Sequence, residues 1–229
     1  MANNEVPNNA KPSPEFLHAA SAGRIAEEAD LLLFLDTEKP LPGHQHLTIS
    51  PHGDKAAKAP ADAATGGQTG QVSFNGKFDV AIQEDGKDPD KYLAQVTSSG
   101  DFATHNMSSS IKRLTSDTGE TVSELNSSNA GGLFHAAYTD ASGNQLLASD
   151  GLWNPGNKSG MALTDGNGNI VAMAVLDFKE LPDGSDGRLV TTTLFSPDQD
   201  HRPLGTMVAQ KRFNKETGSL VEDINLTRP

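Results

Sequence analysis

The sequence contains no cysteine and few aromatic residues. None of its 229 residues is Cys, and 5% are Phe, Trp or Tyr. The absence of cysteine excludes disulfide bonds, thiolate metal ligands and cysteine nucleophiles, and it fits a reducing or an oxidising compartment equally well. Any catalysis therefore has to use other side chains.

Long apolar segments are also missing. Only 35% of the residues are hydrophobic, below the usual share for a globular protein, and no run is long enough to span a bilayer. The first residues, Met1 to Pro14, lack the basic and apolar regions of a secretory signal. We expect a modest core with part of the chain outside it, and a location that is cytoplasmic or reached without a cleaved Sec signal.

The chain has no basic excess. It carries 18 Lys and Arg residues against 30 Asp and Glu residues, a formal charge of −12. Such a surface repels nucleic-acid phosphates and anionic lipids, and the acidic residues are spread along the chain and form no acidic tail. The composition therefore predicts no nucleic-acid partner and no membrane span.

The N-terminal third reads as a tail, a helix and a connection. Residues 1–13 are polar and rich in Asn, which predicts disorder. Ser13 can cap a helix that begins at Pro14, so we predict an amphipathic helix over residues 14–36. Its apolar stretch Leu31–Leu35 has to dock on the folded body. Residues 37–70, rich in Pro, Gly and Ala, predict a connection.

From Gln71 onward the sequence pattern is typical of β-hairpins. Short alternating apolar runs are separated by Gly, Asn and Asp, and the pair Asn75-Gly76 suits a two-residue turn. Loops this short can join only antiparallel neighbours. We therefore predict a mainly β domain over residues 71–229, an antiparallel up-and-down meander of about ten strands. The meander forms a barrel or barrel-like body, with the N-terminal helix packed on it.

Three turns repeat one theme, in the segments TDASGNQLLAS, TDGNGNIVAMAV and FNKETGSLVEDI. The second leads into Ile170–Leu176, which is apolar at both alternating positions, so this strand should be covered on both faces. Ala172 and Ala174 leave room for the Leu31–Leu35 stretch, or they face a tight interior. The sequence favours neither alternative.

Metal-binding patterns are weak. His44 and His46 would project from the same face of an extended segment, and His52 could add a third ligand. All three histidines lie in the predicted connection, where solvated histidines are common. Asp165 begins like a calcium loop, but the later positions lack the required Gly and Glu. The sequence favours no metal and implies no cofactor.

The scarce polar-tipped residues are the weak candidates for ligand binding: Tyr138, Trp153, His135, Arg188 and His201. In the strand LFHAAYT, His135 and Tyr138 lie on opposite faces, so only one of them can line a barrel interior. His201 lies in a loop at a strand end, where functional residues concentrate.

No catalytic signature stands out. The chain has no G-x-S-x-G elbow, no phosphate loop and no dinucleotide fingerprint. The leading hypothesis is a soluble barrel-like binding module for a small apolar ligand or a protein partner. Two alternatives remain: a barrel-cavity enzyme of the isomerase or cyclase type, and a structural or exported interaction protein. A homo-oligomer fits each of them, and the sequence leaves open whether the protein is an enzyme.

Overall fold

The structure is a computed structural model that describes residues 20–26, 44–53, 71–101, 104, 106–115, 117–152, 158–214 and 216–227. Within them, twelve antiparallel strands form a closed barrel. The strands are β1 (His44–Pro51), β2 (Gln71–Glu84), β3 (Asp90–Asp101), β4 (Asn106–Leu114), β5 (Thr121–Ala130), β6 (Leu133–Asp140), β7 (Gln145–Leu152), β8 (Lys158–Asp165), β9 (Ile170–Lys179), β10 (Gly187–Phe195), β11 (Pro203–Asn214) and β12 (Ser219–Thr227).

Each strand pairs with the next along the chain, and β1 closes the barrel by pairing with β12. The predicted antiparallel meander is therefore confirmed, with twelve strands in place of about ten. One short helix, α1, spans residues 20–26. The predicted tail 1–13 and the apolar stretch Leu31–Leu35 lie outside the described residues.

The barrel starts earlier than the sequence predicts, because β1 lies inside the range 37–70 that we assigned to a connection. Gln45, Leu47 and Ile49 point inward and are buried, and β1 pairs with β2 on one side and β12 on the other. The alternation of buried and outward residues in β1 is short. The neighbouring Pro and Gly residues are typical of a connection, so the sequence did not predict this strand. Without β1 the barrel would be open.

The predicted hairpin turn at Asn75-Gly76 is wrong, because both residues lie inside the continuous strand β2. Gly76 shares the inward face with Phe74 and Phe78. A Cβ atom on Gly76 would lie 2.6 Å from Cζ of Phe74. The glycine therefore makes room for an aromatic ring, and the pair does not serve as a turn.

The helix α1 lies inside the barrel. Ala22, Ile25 and Ala26 are fully buried in one core cluster with inward side chains of β1–β6 and β12, such as Phe78 and Val96. We call β1–β6 together with α1 the helix half. A twelve-stranded barrel is too wide for wall side chains alone to fill, so a helix completes this core.

The other half of the barrel is filled by its own wall. Leu163, Val190 and Met207 pack together with Ala172 and Ala174 in a second core cluster. We call β7–β11 the groove half. Of the two alternatives for the alanines, the structure supports the tight interior, because both alanines point inward and are buried.

A buried ion pair lies at the seam between the two halves, which is β12, because this strand contributes side chains to both core clusters. The Nζ atom of Lys211 is 3.2 Å from Oε1 of Glu222, and these residues are direct cross-strand neighbours on β11 and β12. Their side chains are 6% and 0% exposed. A pair this deep depends on both charges, because either charge alone would be buried without compensation.

Two of the repeated turns have the same geometry. Oδ1 of Asp140 accepts hydrogen bonds from the backbone N–H groups of Ser142 and Asn144. Oδ1 of Asp165 accepts the equivalent bonds from Asn167 and Asn169. Turn chemistry therefore accounts for the carboxylate of Asp165 without a calcium ion.

Candidate functional site

An apolar groove crosses the outer surface of β7–β10. Cross-strand pairing places Leu152 beside Gly160 and Gly160 beside Val175. The next row on the same face runs from Ala162 to Met173 and then to Phe195. The strong stagger of the strands brings the end of β7 and the end of β10 to one groove.

The groove has a volume of about 450 Å³ and an almost entirely apolar lining. Small residues form its floor, since a Cβ atom on Gly160 would meet no atom within 4 Å. Gly151 has a different role, because a Cβ there would collide with the carbonyl oxygen of Gly160. Gly151 thus lets β7 and β8 lie close together, and Gly160 leaves the space above them open.

Large apolar side chains around the groove are exposed to solvent. Leu152 is 64% exposed, Met173 42% and Val175 37%. Leu133, which pairs with Leu152 across β6 and β7, is also exposed. In an antiparallel barrel wall the solvent face is normally polar, so a contiguous apolar group on that face is unusual and marks the groove as the candidate site.

Two polar groups border the groove. On one side, Nδ1 of His135 lies 2.7 Å from Oδ1 of Asp150, and Asp150 is part of the groove lining. On the other side is His201, which has a φ of 45°, the only positive φ among the described non-glycine residues. A non-glycine residue in this region is uncommon, and such residues concentrate at functional sites.

The loop that carries His201 is held by its own hydrogen bonds. The N–H of Ser196 donates to the carbonyl of Arg202, and the N–H of His201 donates to the carbonyl of Asp198. A hydrogen bond from Ser196, with the nearby charge of Arg202, lowers the pKa of Asp198. The loop therefore keeps a defined shape beside the groove.

The predicted ligand-binding residues divide among several places. His201 lines the groove, and His135 reaches its edge through Asp150. Tyr138 points inward and packs against both core clusters. Arg188 is exposed at the start of β10, away from Phe195. Trp153 lies outside the described residues. The opposite orientation of His135 and Tyr138 agrees with the alternation in their strand.

The three histidines considered for a metal each face a carboxylate. Nδ1 of His46 is 2.8 Å from Oδ1 of Asp223, and Nδ1 of His52 is 2.9 Å from Oδ1 of Asp79. His44 lies 3.3 Å from Asp85. His44 and His46 do project from one face of β1. In the part of the chain that the structure describes, no group of three or more potential ligands could hold a metal ion.

Sequence reasoning missed the groove residues Leu152, Met173, Val175 and Phe195. One signal did point to them, because Ile170–Leu176 is apolar at both alternating positions and demands cover on both faces. The inner face of β9 is covered by the core, whereas Val171, Met173 and Val175 on its outer face are exposed. The groove therefore lies on the outer face of β9, where the sequence predicts cover and the described residues leave the apolar side chains exposed.

No protein-family model matches the chain, and no curated protein matches it. The chain is similar to a solved structure described as a β-barrel-like protein of the domain of unknown function DUF1849 from Brucella abortus. The two share 10% identity over 81% of this chain and 95% of that chain, with a TM-score of 0.28. Among the described residues, no helix is long and apolar enough to cross a membrane.

Proposed function

We propose that this protein is a binding module whose outer groove takes a small apolar ligand. The observation that carries the proposal is the exposure of apolar side chains on the outer face of β9, next to the exposed Leu152. By contrast, the outward positions of β1 and β4, such as His46 and Lys112, are polar or charged. Covering the apolar group with an apolar ligand would remove that surface from water.

The shape of the groove favours a small ligand over a flat protein surface. Its volume of about 450 Å³ lies within the range of small-molecule sites, roughly 300–1,000 Å³. Gly160 and Ala162 create a depression that a narrow apolar chain can enter. The His135–Asp150 pair and His201 stand at the borders, where they can hydrogen-bond to a polar end of the ligand.

A filled groove tests the proposal. Gly160→Leu should block the depression, and the open space at this glycine lets the barrel accept the larger side chain. We expect the affinity for the uncharged fluorescent probe N-phenyl-1-naphthylamine to fall at least about tenfold, which corresponds to 1.4 kcal/mol. The probe should be displaced from the wild-type protein by linear alcohols of increasing chain length.

The matched control is Asn126→Leu, which adds the same side chain to an exposed position on the outer face of β5. It should leave probe binding unchanged. Equal probe affinity in wild type and Gly160→Leu would exclude the groove as the binding site. Light scattering that shows self-association of the wild type, lost in Gly160→Leu, would identify a protein surface in place of a small-ligand site.

A further inference from the structure

A polar cluster, separate from the apolar groove, lies inside the barrel, where α1 meets the inner wall of β3–β5. Nη1 of Arg24 donates to Oγ of Ser109 at 2.7 Å and to Oγ of Ser127 at 3.3 Å. The two serine oxygens are 2.9 Å apart and belong to directly paired residues. We call Arg24, Ser98, Ser109, Ser127 and Asn129 the Arg24 site.

The Arg24 site contains polar atoms that lack partners. Ser98 is the cross-strand neighbour of Ser109 and is 8% exposed. Its hydroxyl and Oδ1 of Asn129 are buried without a hydrogen-bond partner among the described residues. Buried polar groups without partners are uncommon, and a bound ligand is one way in which such groups are satisfied.

The charge of Arg24 is also uncompensated within the described residues. Its hydrogen bonds there go to neutral hydroxyls, and none of the described carboxylates forms an ion pair with it. The neighbouring Ile25 and Ala26 are fully buried in the core cluster. Arg24 itself is half-buried, and its planar guanidinium fork fits a carboxylate through two parallel hydrogen bonds.

We propose that the Arg24 site binds the carboxylate of a small ligand inside the barrel. Arg24 supplies the charge, and the hydroxyl of Ser98 donates a hydrogen bond to a carboxylate oxygen. The amide of Asn129 can present its NH₂ group, because the placement of its oxygen and nitrogen follows from the hydrogen-bond network. A single negative charge balances the guanidinium, whereas a phosphate dianion would leave excess charge beside Ile25.

Calorimetric titration of the full chain tests this site with three probes: acetate, laurate and inorganic phosphate. Acetate and laurate should bind the wild type, and phosphate should bind more weakly. Arg24→Met should lower both carboxylate affinities at least about tenfold. Ser98→Ala removes the proposed donor to the carboxylate, keeps the bonds from Arg24 to Ser109 and Ser127, and should weaken binding roughly three- to tenfold, the value of one hydrogen bond.

Two controls separate this site from others. Arg202→Met removes an exposed arginine that pairs with Asp198, and it should leave carboxylate binding unchanged. Gly160→Leu should also leave it unchanged, so that failure of the groove and failure of the Arg24 site can be distinguished. Circular dichroism of each variant checks that the barrel remains folded.

Three results would overturn the proposal. The first is equal carboxylate affinity in wild type and Arg24→Met, and the second is phosphate binding as tight as acetate binding. The third involves Glu27 and Glu28, which follow Arg24 in the sequence. If the wild type binds no carboxylate but Glu28→Gln or Glu27→Gln binds acetate, the chain supplies its own anion and the site takes no ligand.

Discussion

In the helix half, the inner wall packs against α1, and the outer wall carries polar pairs such as His52–Asp79, with the exposed Leu133 at the start of β6, beside the groove half. In the groove half, the inner wall packs on its own side chains, and the outer wall exposes Leu152 and Met173. The first half thus uses a segment of the chain to complete its interior. The second half completes its interior and leaves apolar surface outside.

The difference shows how alternation in a strand is to be interpreted. One apolar face per strand is enough for a barrel that is filled from within, as in β1 with Leu47 and Ile49. A strand with two apolar faces, such as β9, needs a second cover. The residues that the structure describes supply no cover for Met173 and Val175, and the proposed ligand would supply it.

The largest predicted effect concerns the seam between the halves. Lys211→Met should lower the free energy of unfolding by about 3–5 kcal/mol, because it leaves the charge of Glu222 buried without its cation. The double variant Lys211→Met/Glu222→Leu should recover most of this loss. Urea unfolding of the three proteins measures both effects. A single variant that loses less than about 1 kcal/mol would show that the pair does not hold the seam together.

How far the sequence predicts this molecule differs from element to element. Turn chemistry at Asp140 and Asp165 predicts antiparallel neighbours, and the alternation at His135 and Tyr138 predicts which side chain points inward. Both features depend on residues close together in the chain. They can therefore be inferred before the barrel closes.

The remaining features depend on register between distant segments. The interior position of α1 follows from the width of a twelve-stranded barrel, and that width requires the inconspicuous strand β1. The groove joins Leu152 to Phe195 through the stagger of β7–β10. The Arg24 site joins the helix to serines far along the chain. No pattern within a short stretch of sequence predicts these contacts between distant residues.

Two glycines should respond with opposite signs, one in each half. Gly151→Ala in the groove half should cost about 1–3 kcal/mol, because the added Cβ collides with the backbone of β8. Gly23→Ala in the helix half should stabilise the protein by about 0.5–1 kcal/mol, because alanine favours a helix. The new Cβ would lie 3.6 Å from Cε1 of Phe213, an ordinary contact.

Chemical unfolding of both alanine variants measures this difference, and Gly160→Ala is the control because it points into open space. Stabilisation by Gly151→Ala would mean that β7 and β8 are not as close as the structure has them. Destabilisation by Gly23→Ala would mean that α1 has no room against Phe213 inside the barrel.

The smallest predicted effect is the pH dependence of the turn that joins β8 and β9 in the groove half. Hydrogen bonds from the side chain and backbone of Asn169, and from the backbone of Asn167, lower the pKa of Asp165 below its ordinary value of 3.8. A lowered pKa in the folded state means that the carboxylate stabilises the fold above pH 3.8. That contribution disappears as the pH falls through the lowered pKa.

Asp165→Asn should therefore be less stable than wild type near neutral pH, and the gap should close as the pH falls below 3.8. Because Asp165 is exposed, the gap should be small. Urea unfolding of both proteins between neutral and acidic pH measures it, and Asn169→Ala should lose part of the pH-dependent gap, because it removes the side-chain donor and keeps the backbone donors of Asn167 and Asn169. A gap that stays constant with pH would show that the carboxylate charge of Asp165 does not stabilise the turn.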